Sequence, residues 1–329
     1  MTAVLVVESC GPGASVQDGG RVGWRRFGVS GSGAMDRLAL GLANALAGNP
    51  PDAAAVETTL AGLRLRVEGG PVLFAVAGPG VGMMVDERAV PPGVSVRADP
   101  GQRVTLSPVR DGVHGYLAVA GGVATTPEMG SRSVHLRSGI GGAMLAPGTR
   151  LPVGDCAALA PRALAPVPGH ADGPIRVMPG PQHDWFDAAA LDTLVAVTWE
   201  VGERSDRMGR FLVGPGLAPR AGSMVSDGVV PGSLQVPPSG QPIILMRDCQ
   251  TTGGYPKLAT VISADLDRLA QMPAGARFSL ALVDRATAVD AAARLARSIA
   301  ALAPRPVGGV DVGRLMAENL IGGVIDARC

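Results

Sequence analysis

The chain has 329 residues, with 29 Lys+Arg against 28 Asp+Glu and a formal net charge of +1. That balance excludes the basic footprint of a nucleic-acid binder and the polybasic signal of a membrane-surface protein. With 47% hydrophobic and 17% charged residues, it is not a disordered chain, and its length suits two domains with a large core. There are only three Trp, two Tyr and five Phe, so Ala, Val and Leu must fill that core. The 47 Gly and 28 Pro recur between short apolar runs, which argues for many tight turns and against a long-helix bundle.

The first strand is expected at 3–7 (Ala-Val-Leu-Val-Val), followed by a polar, Gly-rich loop from Ser9 to Gly33. Leu38, Leu42 and Leu46 then mark one face of a helix, which Gly48-Asn49-Pro50-Pro51 stops. Short strands dominate from Val56 to Gly122. Leu63, Leu65 and Val67 alternate with Arg64, Arg66 and Glu68 as a half-exposed strand does. Val72–Ala77 reads as a buried strand, and Val94–Ala98 and Arg103–Pro108 flank a turn at Asp99-Pro100-Gly101. This spacing predicts a barrel or sandwich. A Pro- and Ala-rich stretch at 157–173 is expected to link an N-terminal domain, 1–156, to a C-terminal one, 174–329. In the second half, Phe186–Leu194 is expected as a short helix, and Val195–Val201, Ile243–Met246 and Phe278–Val283 as strands. Residues 284–302 form a helix with Ala288, Ala291, Leu295, Ile299 and Leu302 on its packing side.

Several chemistries are missing. Gly78-Pro79-Gly80-Val81-Gly82-Met83 resembles a dinucleotide turn, but Met83 stands where the third glycine belongs and strands follow where a helix is needed. The four histidines show no H-E-x-x-H spacing, so no metal is expected. Gly28-Val29-Ser30-Gly31-Ser32 misses the nucleophile elbow, and no lysine flanked by methionines marks a biotin carrier. Cys10, Cys156, Cys249 and Cys329 are far apart and are expected as free thiols in a reducing compartment. The early residues lack the basic region of a signal peptide, so a cytoplasmic protein is expected.

Lys257 is the sole lysine among 29 basic side chains. A lysine can act as base, nucleophile or point-charge clamp where arginine cannot. It closes the run Thr251-Thr252-Gly253-Gly254-Tyr255-Pro256-Lys257, whose glycines are suited to an anion-binding nest. A second polar cluster holds Gln17, Asp18 and Arg21, then Ser30 to Asp36. A third is Ser205-Asp206-Arg207-Met208-Gly209.

These residues carry a resemblance. Ser15-Val-Gln17-Asp18-Gly-Gly-Arg21-x-Gly23, Ser32-Gly-Ala-Met35-Asp36, Gly180-Pro-Gln182, Ser205–Gly209, Gln235-Val-Pro237 and Thr251–Lys257 are similar to the allophanate hydrolase subunit 2 family, also called the biotin-dependent carboxyltransferase or KipA-like family. The likeness runs along nearly the whole chain. One departure is Gly142-Ala-Met-Leu145-Ala-Pro-Gly148-Thr149, which lacks the arginine and aspartate common there. The resemblance implies a mainly β protein with a few helices, built as two cyclophilin-like β-barrel domains. It implies the C subunit of a bacterial ATP-dependent 5-oxoprolinase, acting with its A and KipI-like B subunits on a small amide substrate. ATP would be used by the assembled complex, and biotin would not be attached to this chain. One alternative is a carboxyltransferase-type subunit of a urea carboxylase or allophanate hydrolase-like system. Another is a non-enzymatic KipA-like regulator of a KipI-like kinase inhibitor. The family chemistry implies that Lys257, Tyr255 and Asp206 are catalytic, and that Gln17, Asp18, Arg21, Asp36, Arg207, Gln235, Thr251, Gly253 and Gly254 bind substrate.

Overall fold

The computed structural model describes residues 2–156, 159–220 and 224–307. The protein is mainly β, with four α-helices among the described residues. In the first half, strands form two sheets. One runs in the order Arg150–Pro152, Val4–Cys10, Leu63–Glu68, Arg103–Leu106, Met83–Val85, Arg88–Val90. The other runs Ser15–Gln17, Ala55–Thr59, His114–Val119, Val72–Ala77, Val96–Ala98. Alternation decides what each sheet buries. Leu63, Leu65 and Val67 point into a core shared with Val56, Phe74, Leu117 and Val119 of the second sheet, while Arg64 stays exposed.

The other face of the second sheet carries Ala55, Ala75, Ala77, Tyr116 and Ala118. Four of these are small, which lets helix α1 (Arg37–Ala47) lie close, burying Leu38, Leu42 and Leu46. Asp36 caps α1 by accepting from the Ala39 N–H, and Gly48 ends it in the left-handed conformation (φ 83°).

The second half is a closed barrel of seven strands: Ile175–Pro179, Lys257–Val261, Ser233–Gln235, Ile243–Leu245, Gly209–Val213, Thr198–Val201 and Arg277–Leu282. A parallel pairing, Ile175 opposite Leu280, closes the ring. Trp199, Phe186, Leu234, Ile244 and Leu258 fill it. Met35, from the N-terminal loop, belongs to the same core and stitches the halves together. The helix expected at Phe186–Leu194 starts later, as α2 (Ala190–Ala196), after a 3-10 turn at His183–Trp185. A short helix, α3 (Leu266–Ala270), follows the strand that begins at Lys257. The last helix, α4 (Arg285–Ala300), splits its apolar stripe. Ala288 and Ala291 bury on the barrel side, and Leu295 and Ile299 reach α1 together with Leu302 beyond the helix end. Cys10, Cys156 and Cys249 are free thiols, and Cys329 lies outside the described residues. No helix among the described residues is long and apolar enough to cross a membrane.

Candidate functional site

Lys257 opens a barrel strand, and its backbone there is tied to Gln182, whose side-chain oxygen accepts from the Lys257 N–H at 3.2 Å. The lysine is 2% exposed. Its Nζ donates to Asp227 Oδ2 at 2.5 Å and to the Gly228 carbonyl at 2.9 Å. Asp227 comes from a two-stranded ribbon in which Asp227 and Gly228 pair with Gly253 and Thr252. The ribbon folds back over the strand, which brings a residue 30 positions away onto the lysine. The Lys257 hydrogen bond, then the Gly228 N–H, hold the Asp227 carboxyl below the usual aspartate range. Unlike the lysine, the Asp227 side chain is 54% exposed. A desolvated ammonium thus meets a solvent-facing carboxylate.

Gln235 and Tyr255 frame this pair. Gln235 Nε2 donates to the Tyr255 carbonyl at 3.2 Å, and a Cβ on Gly253 would fall 2.5 Å from Gln235 Nε2. Close approach explains that glycine. Neither Gly253 nor Gly254 has the positive φ of an αR-αL nest, so the nest expected from the sequence is not formed. Tyr255 is 45% exposed at the rim. Thr251 acts through its carbonyl, which accepts from the Val229 N–H at 3.0 Å.

A second cluster lies where the two halves meet. Arg207 Nε and Nη2 fork onto Asp248 at 2.8 and 2.9 Å. Its Nη1 donates to Glu57 Oε1, and Nη2 also reaches the Gly33 carbonyl at 2.6 Å and Gln17 Oε1 at 3.3 Å. Burial pulls the guanidinium down, but Glu57 and Asp248 outweigh it and hold it above the ordinary arginine value. Glu57 also accepts from the Tyr116 hydroxyl at 2.6 Å and the Met35 N–H at 2.9 Å. Burial, and then Glu57 and Asp36, push the Tyr116 phenol far up. Burial pushes His114 down to about 4. Its ring is therefore neutral at pH 7, and its 3.6 Å approach to Glu57 is not an ion pair.

The remaining candidates hold backbone in place. Asp18 accepts from Ser131 Oγ, Ser133 Oγ, Arg132 N–H and Gly20 N–H, which uses up its carboxylate. Asp36, besides capping α1, accepts from His170 Nε2 at 2.7 Å and Gln271 Nε2 at 2.8 Å. Asp206 accepts from the Met208 and Gly209 N–H groups of its own turn. None of these three orients Lys257; Asp227 does. Arg21 is 2% exposed, with Nη2 donating to the Ser133 carbonyl at 2.5 Å. The structure thus joins Lys257, Tyr255, Gln235 and Gly253 in one site and Gln17 and Arg207 in another. Asp227, Glu57 and Asp248 escape sequence reasoning. Ser226-Asp227-Gly228 reads as an ordinary turn, and Glu57 sits inside an apolar strand. The described residues contain no group of three or more His, Cys, Asp or Glu able to hold a metal.

Comparison with known proteins shows the family of the chain. Residues 27–282 match the family model described as carboxyltransferase domain, subdomain A and B. The chain is 41% identical to the 5-oxoprolinase C subunit of Escherichia coli over 276 residues, 83% of this chain and 89% of the relative. It is 38% identical to the 5-oxoprolinase C subunit of Haemophilus influenzae, over 86% of this chain and 91% of that one. Among solved structures, TTHA0988 superposes with a TM-score of 0.77 at 34% identity, covering 85% of this chain and 56% of that one. The Kluyveromyces lactis urea carboxylase shares the fold, with a TM-score of 0.83 at 24% identity over 92% of this chain and 29% of that one. By sequence and by fold, the chain belongs to the carboxyltransferase domain subdomain A and B family.

Proposed function

We propose that this chain is the C subunit of an ATP-dependent 5-oxoprolinase, working in the cytoplasm with its A and KipI-like B subunits to open 5-oxoproline to glutamate. The observation that carries the proposal is the 41% identity to the Escherichia coli protein, which spans most of both chains.

Opening a lactam places negative charge on the carbonyl oxygen as water adds, and breaks the C–N bond. Lys257, buried and aimed by Asp227, supplies a compact cation for that oxygen. The half-exposed Tyr255 phenol, two residues before Lys257, would pass a proton to the leaving nitrogen. Energy coupling comes from the partners, because an unstrained lactam does not open far without ATP. A partner surface is available on this chain: Val22, Trp24, Phe27, Val225 and Val230 are exposed. Arg25 pins the loop that carries Trp24 and Phe27 to the Val229 and Gln250 carbonyls, at 2.6 and 2.8 Å. A permanent complex there would bury about 2,000 Å² or more.

The test is co-expression. With a KipI-like partner the chain is expected to elute as a stable complex on gel filtration, and ATP-dependent glutamate release is expected only when the A subunit is present as well. Glutamate release by the chain alone, free of partners by mass spectrometry, would overturn the proposal. ATP- and biotin-dependent carboxylation of urea by the assembled proteins would favour the carboxyltransferase reading instead.

A further inference from the structure

A cavity of about 470 Å³ opens between the N-terminal loop and the barrel. Five arginines line it: Arg21, Arg25, Arg26, Arg37 and Arg247. No Asp or Glu does. The rest of its wall is largely small: Gly19, Gly20, Gly23 and Gly31, with Ser32 and Ser263. Surface arginines gather by chance, but two of these are not on the surface. Arg21 is 2% and Arg247 6% exposed. Arg21 Nε and Nη1, Arg247 Nε and Arg25 Nη1 are buried with no hydrogen-bond partner. Buried guanidinium donors are normally satisfied, because leaving them dry and unpaired is costly.

The nearby carboxylates do not supply the missing acceptors. Asp267 takes one bond from Arg247, at 2.7 Å, on Oδ1, and its Oδ2 is buried without a partner and bonds none of the arginines. Asp18 is occupied by Ser131, Ser133 and two backbone N–H groups. Asp248 is held by Arg207 and Ser32. Crowding shows in the titration as well: the charge of Arg247, then burial, lowers Arg37, and burial lowers Arg21. The cavity wall itself concentrates positive charge, with five arginines and no carboxylate in its lining.

We infer that this cavity is a binding site for a small, multiply charged oxyanion, phosphate or a phosphate-like group on a small molecule, held by the lining arginines Arg21, Arg25 and Arg247 with Arg37 at the mouth. Guanidinium forks match tetrahedral and carboxylate oxyanions bidentately. Five arginines against the single Asp267 pairing favour a ligand of charge two or more over a lone carboxylate. The site is separate from Lys257 and stands whether or not the chain serves a 5-oxoprolinase.

Isothermal titration of the full chain with inorganic phosphate, glutarate and nitrate tests the inference without any partner or activity. Phosphate is expected to bind at least about tenfold tighter than nitrate. Arg37→Ala, at an exposed position, is expected to weaken phosphate by about fivefold with Tm unchanged. Arg21→Gln and Arg247→Gln should weaken it further where they fold, and Arg88→Ala, on the edge strand of the first sheet, should leave it unchanged. Tighter binding of phosphate than glutarate supports a phosphate-type ligand; the reverse overturns that assignment in favour of a dicarboxylate. Phosphate binding no tighter than nitrate, or binding unaffected by Arg37→Ala, overturns the site.

Discussion

Lys257 and Asp227 behave as a unit because the lysine is dry and the carboxylate is wet. An arginine at 257 keeps the charge but spreads it over a planar fork longer than the space that now holds Nζ at 2.5 Å from Asp227 and 2.9 Å from the Gly228 carbonyl. Lys257→Arg is expected to lower kcat of the assembled enzyme by about a hundredfold or more, the usual effect of losing one aimed donor at an oxyanion. The circular dichroism melt should stay within a few degrees of the parent, and turnover near the parent's would refute the role. His114 offers a pH-dependent readout of the interface. Its folded pKa is about 4 against an ordinary value of 6.5, owing to burial. Between those values the unfolded chain binds more protons than the folded one. The stability that neutral His114 leaves intact above pH 6.5 is therefore lost as pH falls through that window, by about 3 kcal/mol at most. Urea unfolding across this range should show the slope, and His114→Gln should flatten it.

At the scale of elements, much of the fold is legible because it follows from period and punctuation. The alternation of Leu63, Leu65 and Val67 with charged residues, and the stop at Gly48-Asn49-Pro50, dictate a strand and a helix whatever surrounds them. What surrounds them is less legible. The barrel closes by pairing Ile175–Pro179 with Arg277–Leu282 in parallel, a contact about a hundred residues apart that no local pattern announces. Asp227 reaches Lys257 for the same reason: the ribbon that carries it is only two residues long on each side, too short to mark itself. The alanines under α1 are a middle case. Their abundance is visible in the sequence, but their shared face appears only once Ala55, Ala75 and Ala118 line up on adjacent strands. Because that face sets the helix–sheet distance, Ala118→Leu should overpack it and cost about 1–3 kcal/mol, seen as a lower urea midpoint. An unchanged midpoint would mean the helix has room to move away.

At the scale of the molecule, the two halves are joined through Met35, through Asp36 with His170 and Gln271, and through the charge network around Arg207. Arg207 belongs to the second half, and Gln17, Gly33 and Glu57, which it contacts, belong to the first. Asp248 balances it from its own half and is held in turn by Ser32 of the first, at 2.6 Å. Two carboxylates therefore depend on one guanidinium in a largely buried region. Replacing a buried pair with apolar groups is often tolerated, but removing a single partner strands the other. Arg207→Ala should then cost about 3–5 kcal/mol, since Glu57 and Asp248 would remain buried with their cation gone. If the network couples the halves, the loss should also split the unfolding curve, with the barrel, followed by Trp199 fluorescence, melting separately from the first half. The triple variant Arg207→Met, Glu57→Gln, Asp248→Asn removes the stranded charges. It is expected to recover a large part of the stability and the single transition. Recovery of stability without a return to one transition would mean that the charges hold the interface together only by avoiding their own burial. An Arg207→Ala protein that still unfolds in one step would place the coupling in Met35 and the packing of α4 on α1 instead.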